Sequence, residues 1–199
     1  MTVGIDSAEP ASPRKRADAR RNEQTLLDAA AEVFRTLGVQ APVRDIAAKA
    51  GVGMGTIYRH FPTRAELIIA VYRRQVDTCA AAGPTLLGST ETPYQALSQW
   101  IDLFVAFLAT KHGLAAVMRS DQSGFEALHT YFLDRLVPVC AELLDAAARN
   151  GEIHADIDAL ELMRAVGNLC VSIDGDSGYD AHRMARLLIA GLRHEQVDP

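Results

Sequence analysis

The sequence lacks any run of about eighteen uncharged apolar residues, the length a helix needs to cross a bilayer. It also has no apolar stretch behind the positive charges near its N-terminus, where a secretory signal would have one. We therefore expect neither a membrane span nor a signal peptide, and we expect the protein to be cytoplasmic.

Cysteine is scarce as well. Cys79, Cys140 and Cys170 are far apart, odd in number and set in apolar helical patterns. A disulfide framework or a clustered zinc site would need paired or closely spaced cysteines. We therefore predict three buried, reduced thiols.

Signatures of common enzyme classes are missing too. The sequence has no Gly-x-Ser-x-Gly, Walker or dinucleotide-binding fingerprint, and its histidines do not have metal-ligand spacing. We expect no catalytic residue, no cofactor and no metal site, which leaves an enzyme as the weaker alternative.

No strand pattern occurs, and apolar residues recur at helical spacing instead. The pattern predicts an all-α fold of about nine helices, with a three-helix N-terminal head and a larger C-terminal helical bundle. We expect a disordered basic arm over residues 1–19, a small helical head over 20–66 and a larger helical body over 67–199.

Some helix ends are also readable. We expect Gly83 and Pro84 to end the fourth helix, because glycine and proline disfavour helix interiors. A short helix is predicted near residues 114–119. A long helix that ends near Asn150 contains Pro138, which should kink it without ending it.

Charge is unevenly divided along the chain. Residues 1–78 carry a net +3 and residues 79–199 a net −8, which together give −5. A polyanion is therefore attracted to the first part and repelled by the second. The densest basic cluster lies ahead of the first apolar stripe and comprises Arg14, Lys15, Arg16, Arg20 and Arg21. Alone, such a run is more often a solvated tail.

Residues 43–61 have the pattern of a helix-turn-helix. That motif needs a small residue where two helices cross, a glycine able to take positive φ in the turn, and apolar residues that pin both helices. Ala47 is the small residue, Gly51 is the turn glycine, and Ile46 and Ile57 are apolar pins. The pattern alone leaves an ordinary helical hairpin open.

The segment over residues 51–67, GVGMGTIYRHFPTRAEL, resembles the signature of the TetR family of bacterial transcriptional repressors. The resemblance is close over residues 22–71, whereas the body is similar only in its helical organisation. It implies a DNA-binding head, a ligand-binding body, a homodimer, and release of operator DNA when a small, largely apolar molecule binds.

The resemblance also implies roles for single residues. Tyr58 and His60 look like a phosphate-contacting pair, and Arg64 stands where the family usually has a phosphate-binding lysine. Phosphate contacts set register and carry no base identity. Arg44 matches a position that reads bases, where arginine can bond guanine bidentately. Core packing for Tyr58 and a satisfied surface imidazole for His60 are the alternatives.

The first turn of the predicted recognition helix supplies further candidates. Met54 and Thr56 are placed to touch a thymine methyl, and Gly53 and Gly55 let backbone N–H groups approach phosphate. Gly53 replaces the serine cap common in the family, at a cost of only a few tenths of a kcal/mol. The arginine arm is suited to an adjacent minor groove. The predicted DNA contacts are Val43, Arg44, Gly53, Met54, Gly55, Thr56, Tyr58, Arg59, His60 and Arg64.

A head this small reads few base pairs, so we expect two copies about 34 Å apart on a palindromic operator. The resemblance implies that the last two helices pair with their mates. The predicted dimer contacts are Leu162, Met163, Val166, Leu169, Ile173, Met184, Leu187 and Leu188. Some of these must instead be intrachain core.

The body also holds aromatic and methionine side chains suited to an apolar ligand pocket. The predicted pocket consists of Trp100, Phe104, Phe107, Met118, Asp121, Phe125, His129, Phe132 and Met163. An aromatic stripe at helical spacing is more often plain core. Footprinting would separate a DNA-binding regulator from a helical bundle that binds small molecules or proteins without DNA.

Overall fold

The computed structural model describes residues 13–110, 122–154, 156–170 and 179–193, with side chains described from 21 to 109 and from 126 onward in those ranges. There the chain forms helices and no strand, which confirms the predicted all-α class. The helices are α1 Pro13–Leu37, α2 Val43–Ala50, α3 Met54–His60, α4 Arg64–Ser89, α5 Pro93–Thr110, α6 Gln122–Arg149, α7 Ala159–Leu169 and α8 Ala181–Ala190. The short helix predicted near 114–119 lies outside the described residues.

The first helix begins earlier than the sequence pattern indicated. We predicted a disordered arm over residues 1–19, but the backbone is already helical from Pro13. The prediction is therefore wrong for residues 13–19. Arginine, lysine and alanine dominate this stretch, and all three have high helix propensity, which favours continuation of α1 toward the N-terminus. Residues 1–12 lie outside the described part.

Helix α4 runs uninterrupted through Gly83 and Pro84, so the prediction that this pair ends the helix is wrong. Gly83 is buried, and a Cβ built on it would lie 2.3 Å from Cγ1 of Val139 on α6. Beyond the proline, Leu86 and Leu87 pack against the core. A proline in a helix interior costs about 3 kcal/mol, and burial on both sides of Pro84 offsets it.

The body is a bundle in which α5 is central. Trp100, Leu97, Ile101 and Phe104 on this helix are all at most 1% exposed. The indole N–H of Trp100 donates to the carbonyl oxygen of Cys79 on α4 at 2.9 Å. One buried apolar cluster continues from α1 to α8, so head and body share their core. The predicted division at residues 66 and 67 therefore falls inside α4.

Caps at the helix ends agree with the local sequence. The Thr63 hydroxyl accepts from the backbone N–H of Glu66 at the start of α4. Asp158 and Glu161 form a reciprocal capping box at the start of α7. Pro138 lies inside α6, which continues to Arg149. No helix in the described ranges is both long and apolar enough to cross a membrane.

Candidate nucleic-acid interface

A tight turn holds α2 and α3 together. Gly51 adopts φ +67°, a left-handed conformation that suits glycine. The backbone N–H of Val52 donates to the carbonyl oxygen of Ala47 at 3.0 Å. Ala47 is buried beneath the turn together with Ile46. These residues form the turn of a helix-turn-helix.

Helix α3 has one buried face and one exposed face. Ile57 is 1% exposed and pins the helix to the head, whereas Met54 is 51% and Tyr58 50% exposed. Arg59 and His60 are exposed as well. Core packing therefore does not explain Tyr58, and the outer face of α3 is available to a partner.

The start of α2 adds an exposed arginine. The Arg44 side chain is 77% exposed, and its Nε lies 3.5 Å from a carboxylate oxygen of Asp45. An exposed ion pair of this kind is weak, so Arg44 is able to reach another partner. Val43 is half-buried and packs against the head core. We predicted Val43 as a DNA contact, but its position mainly serves to anchor α2.

The glycines around the start of α3 lie on the surface. Gly53 caps the helix with φ −74° and ψ 149°, without any side-chain cap bond. A Cβ built on Gly53 or on Gly55 would meet nothing within 4 Å. Backbone N–H groups here are therefore open to a close approach from outside. Thr56 is half-buried between the two faces of the helix.

Arg64 is turned inward, against the prediction that it contacts phosphate. Its Nη2 donates to the carbonyl oxygens of Val39 and Ala41, the latter at 2.7 Å. The guanidinium carbon lies 6.0 Å from the ring centroid of Phe34. Arg64 Nε is buried and has no hydrogen-bond partner among the described residues. The loop that ends α1 carries free carbonyl oxygens, and these bind the guanidinium in place of phosphate.

Two ion pairs on the surface link α1 to its neighbours. Nζ of Lys49 on α2 lies 2.7 Å from Oε1 of Glu32, and Nε of Arg74 on α4 lies 3.2 Å from Oδ1 of Asp28. The hydrogen bond from Lys49 lowers the pKa of the Glu32 carboxyl. These ion pairs of Asp28 and Glu32 were not predicted from the sequence, although two acids four residues apart indicate one charged helix face.

The basic cluster ahead of the head lies on α1. Arg14, Lys15, Arg16 and Arg20 fall within the helical backbone, while their side chains lie outside the described residues. Arg21 is exposed. A minor-groove contact from this cluster stays a prediction.

The predicted ligand pocket is largely filled. Trp100, Phe104, Phe107 and Phe132 are buried and stack on one another, with ring centroids 5.5 to 6.2 Å apart. Met163 is also buried, while His129 is exposed and stacks on Phe132. The four aromatic side chains and Met163 thus belong to the buried core rather than to an open pocket. Met118, Asp121 and the Phe125 side chain lie outside the described residues.

A cavity of about 300 Å³ lies elsewhere, between α1, α4 and α5. Of the predicted pocket residues, only Phe107 lines it. Its other walls include Arg35 of α1, Cys79 of α4 and Leu103 of α5. The cleft therefore lies where the head meets the body.

The predicted dimer contacts divide into two groups. Leu162, Met163 and Val166 are at most 3% exposed within one protomer and are core, so predicting them as contacts is wrong. They lie on the face of α7 that packs inward. By contrast, Leu187 is 58% exposed, and Leu169, Met184 and Leu188 are half-buried. Ile173 lies outside the described residues.

The thiols are free, as predicted. Burial raises the pKa of Cys79 to about 12, and burial also raises that of Cys140 to about 12. Cys170 is only half-buried, so the prediction that all three thiols are buried is wrong for this residue. In the described ranges, no group of three His, Cys, Asp or Glu side chains is arranged to hold a metal ion.

Comparison with known families agrees with this geometry. Residues 26–71 match the family described as "Bacterial regulatory proteins, tetR family". Residues 92–194 match "Transcriptional regulator SbtR-like, C-terminal domain". The two matches cover the head and most of the body.

Individual proteins are similar over nearly the whole chain. The HTH-type transcriptional activator FasR of Mycolicibacterium smegmatis is 30% identical over 91% of this chain and 70% of its own length. The crystal structure of a TetR transcriptional regulator from Streptomyces coelicolor is 34% identical, with a TM-score of 0.73, and covers 87% of this chain and 99% of its own. A TetR regulatory protein from Mycobacterium vanbaalenii is 32% identical with a TM-score of 0.66, covering 90% of this chain and 99% of its own.

Proposed function

The chain belongs to the TetR family of bacterial transcriptional regulators, and we propose that it represses transcription as a homodimer bound to a palindromic operator. The observation that carries this proposal is the outer face of α3. Met54 and Tyr58 are large side chains left half exposed, on a helix whose opposite side is pinned by buried Ile57. A helix of this width enters the major groove of B-DNA.

Base and phosphate contacts divide along the two helices. Arg44 at the start of α2 and Met54 at the start of α3 lie where a recognition unit reads base edges. Tyr58, Arg59 and His60 follow on α3 and supply hydrogen-bond donors for phosphate oxygens. Arg59 and His60 also add positive or ionisable groups to the head, and such groups favour the binding of a polyanion there.

Dimerisation is proposed to use the outer faces of α7 and α8. Leu187 and Tyr179 are 58% and 42% exposed, and Leu169, Met184 and Leu188 are half-buried beside them. Large apolar side chains grouped on a surface are typical of protein interfaces. A two-fold axis through this face would bring two heads to one side of a palindrome.

Operator release is proposed to follow binding of a small, largely apolar ligand to the body. Helix α4 joins the two parts: its first residue, Arg64, binds the loop before α2, and Gly83 packs on α6. A ligand that prefers one arrangement of the body would therefore bias the head, by as much as its affinities for the two arrangements differ.

Footprinting on the DNA upstream of the protein's own gene tests the proposal, with fluorescence anisotropy over a range of salt. We expect a protected palindrome and a negative slope of log affinity against log salt. Leu187→Asp should weaken binding to the palindrome more than binding to one half-site. The matched control is Ala81→Asp, which adds the same charge at an exposed position of α4, outside the proposed interface.

Absence of protection at any salt would contradict operator binding and favour a bundle that acts without DNA. A promoter reporter measured with and without the gene then gives the direction of regulation. We expect lower expression when the protein is present. Higher expression would show activation, as in the name of the M. smegmatis relative.

A further inference from the structure

The cleft between α1, α4 and α5 has an apolar floor. Cys79 and Ala82 of α4 and Leu103, Ala106 and Phe107 of α5 form it. Leu103 is 45% exposed at the mouth, whereas Phe107 is buried behind it. A volume of about 300 Å³ is at the lower end of the range for small-molecule sites.

The positive and negative charges at the rim of the cleft are not all paired with one another. Asp28 is paired with Arg74, and Glu32 is paired with Lys49. Arg35 is the remaining charge in the lining, one turn along α1 from Glu32. Among the side chains that the structure describes, its guanidinium makes no hydrogen bond or ion pair, although its charge helps lower the pKa of Glu32. The three charged groups of the lining, taken with the partners Arg74 and Lys49 that lie outside it, carry a net charge of +1.

We propose that this cleft binds a small amphipathic monocarboxylate. The carboxylate binds the Arg35 guanidinium, whose planar N–H groups match two carboxylate oxygens. Gln75, which also lines the cleft, has an amide donor for the same group. The apolar part of the molecule covers Leu103, Ala106 and Phe107 and removes their exposed surface from water.

An occupant would touch the head through Arg35 on α1 and the body through α5. Its binding therefore depends on how α1 lies against α5, and it favours the arrangement seen here. If the chain regulates as proposed above, this makes the cleft an effector site apart from the body interior. By reciprocity, operator DNA and the carboxylate then alter each other's affinity.

The protein carries its own reporter for the cleft. Trp100 is the single tryptophan of the chain, and its indole N–H bonds the carbonyl oxygen of Cys79, a residue of the floor. Occupancy should alter its fluorescence. This readout needs no operator, so it can fail or succeed independently of the proposed function.

The test titrates the full chain with octanoate as the probe, followed by tryptophan fluorescence and calorimetry. Octylamine and 1-octanol have the same chain without the negative charge. We expect octanoate to bind most tightly. Arg35→Gln should weaken it about tenfold or more, because bonds to a charged group are lost. Ala106→Phe should fill the floor and block binding.

Controls separate the site from a general charge effect. Arg149→Gln removes the same charge from an exposed arginine that bonds its own helix at Asp145, and should leave octanoate binding unchanged. Arg35→Glu should reject octanoate and accept octylamine, a reversal that loss of structure would not produce. Circular dichroism checks that each variant is folded.

Failure of the wild type to bind octanoate at millimolar concentration would overturn the proposal. Equal affinity in the wild type, Arg35→Gln and Ala106→Phe would overturn it too, since the probe would then bind elsewhere. Where operator DNA is in hand, saturating octanoate should shift operator affinity in the wild type and leave it unchanged in Arg35→Gln. Operator affinity that octanoate leaves unchanged in both proteins would overturn the coupling between the cleft and operator binding.

Discussion

Nη2 of Arg64 donates to the carbonyl oxygen of Ala41 at 2.7 Å, so the first residue of α4 holds the loop that precedes α2. The same guanidinium binds the carbonyl oxygen of Val39 and lies over the Phe34 ring. Arg64 thereby sets where the helix-turn-helix sits relative to the long helix that leads into the body.

Replacing Arg64 by glutamine should therefore act on stability. A shorter neutral side chain cannot reach both carbonyl oxygens, and bonds to a charged donor are worth about 1.5–3 kcal/mol. We expect the free energy of unfolding, measured in urea, to fall by about that amount. The salt dependence of operator binding should stay as in the wild type, because no phosphate contact is removed.

Arg59→Gln is the matched comparison, since Arg59 is exposed on α3. It should leave stability within about 0.5 kcal/mol of the wild type and reduce the salt slope by about one unit. The reverse pattern, with Arg64→Gln changing the slope and sparing stability, would restore Arg64 as a phosphate contact.

Arg44 and Tyr58 should differ in what they do to sequence preference. Loss of a bidentate arginine contact costs about 1–3 kcal/mol at one base pair, so Arg44→Ala should relax the preference at that position. Tyr58→Phe removes one hydroxyl from an exposed side chain and should weaken all operator variants to a similar degree. Competition with single-base operator variants measures both. Equal loss across all variants for Arg44→Ala would contradict its assignment to base reading.

Gly83 and Gly88 lie on the same helix in opposite surroundings. An added Cβ at Gly83 meets Val139 at 2.3 Å, whereas at Gly88 it meets nothing within 4 Å. Gly83→Ala should therefore lower the free energy of unfolding by about 1–3 kcal/mol through overpacking. Gly88→Ala should raise it by up to about 1 kcal/mol, because alanine is the better helix former. Urea unfolding measures the stability of both variants. An equal effect of the two changes would show that Gly83 of α4 does not pack against Val139 of α6.

Alkaline pH should destabilise the fold through its buried thiols. Burial raises the pKa of Cys79 and Cys140 from about 9 to about 12, so between these values the folded chain keeps protons that the unfolded chain releases. Stability should be unaffected by these groups below about pH 9 and fall above it, by at most about 1.4 kcal/mol per pH unit for each thiol. Burial raises the pKa of Tyr72 as well, which acts in the same direction.

Urea unfolding at a series of pH values measures this loss. Alkylation of the native protein at pH 8 supplies the control, because half-buried Cys170 should react before Cys79 and Cys140. Equal reaction rates at the three cysteines would contradict the burial on which the pH dependence rests.

The helix-turn-helix was readable because its requirements are local. Ala47, Gly51 and Ile57 lie within eleven residues, and each responds to the geometry of a single turn: a close crossing, a left-handed glycine and an apolar pin. The caps formed by Thr63 and Asp158 are local in the same sense, since each side chain bonds a backbone N–H only three residues away.

Local rules failed where a distant element decided the outcome. Gly83 and Pro84 form a helix-breaking pair by local rules, but α4 continues through them where Gly83 lies close against Val139 of α6. Arg64 matched a phosphate-binding position, but carbonyl oxygens more than twenty residues away bind its guanidinium. Sequence spacing carries no information about such partners.

The sequence by itself therefore determined the helical class, the helix-turn-helix and the charge division that directs a polyanion to the head. Tertiary structure alone decided that the aromatic residues of α5 fill the core, that Leu162 and Val166 face inward while Leu187 faces out, and that the open cleft lies beside Arg35. The physical reason is that helical periodicity marks an apolar face but not what covers it. Whether a neighbouring helix, a ligand or a second chain does so depends on packing across the whole fold.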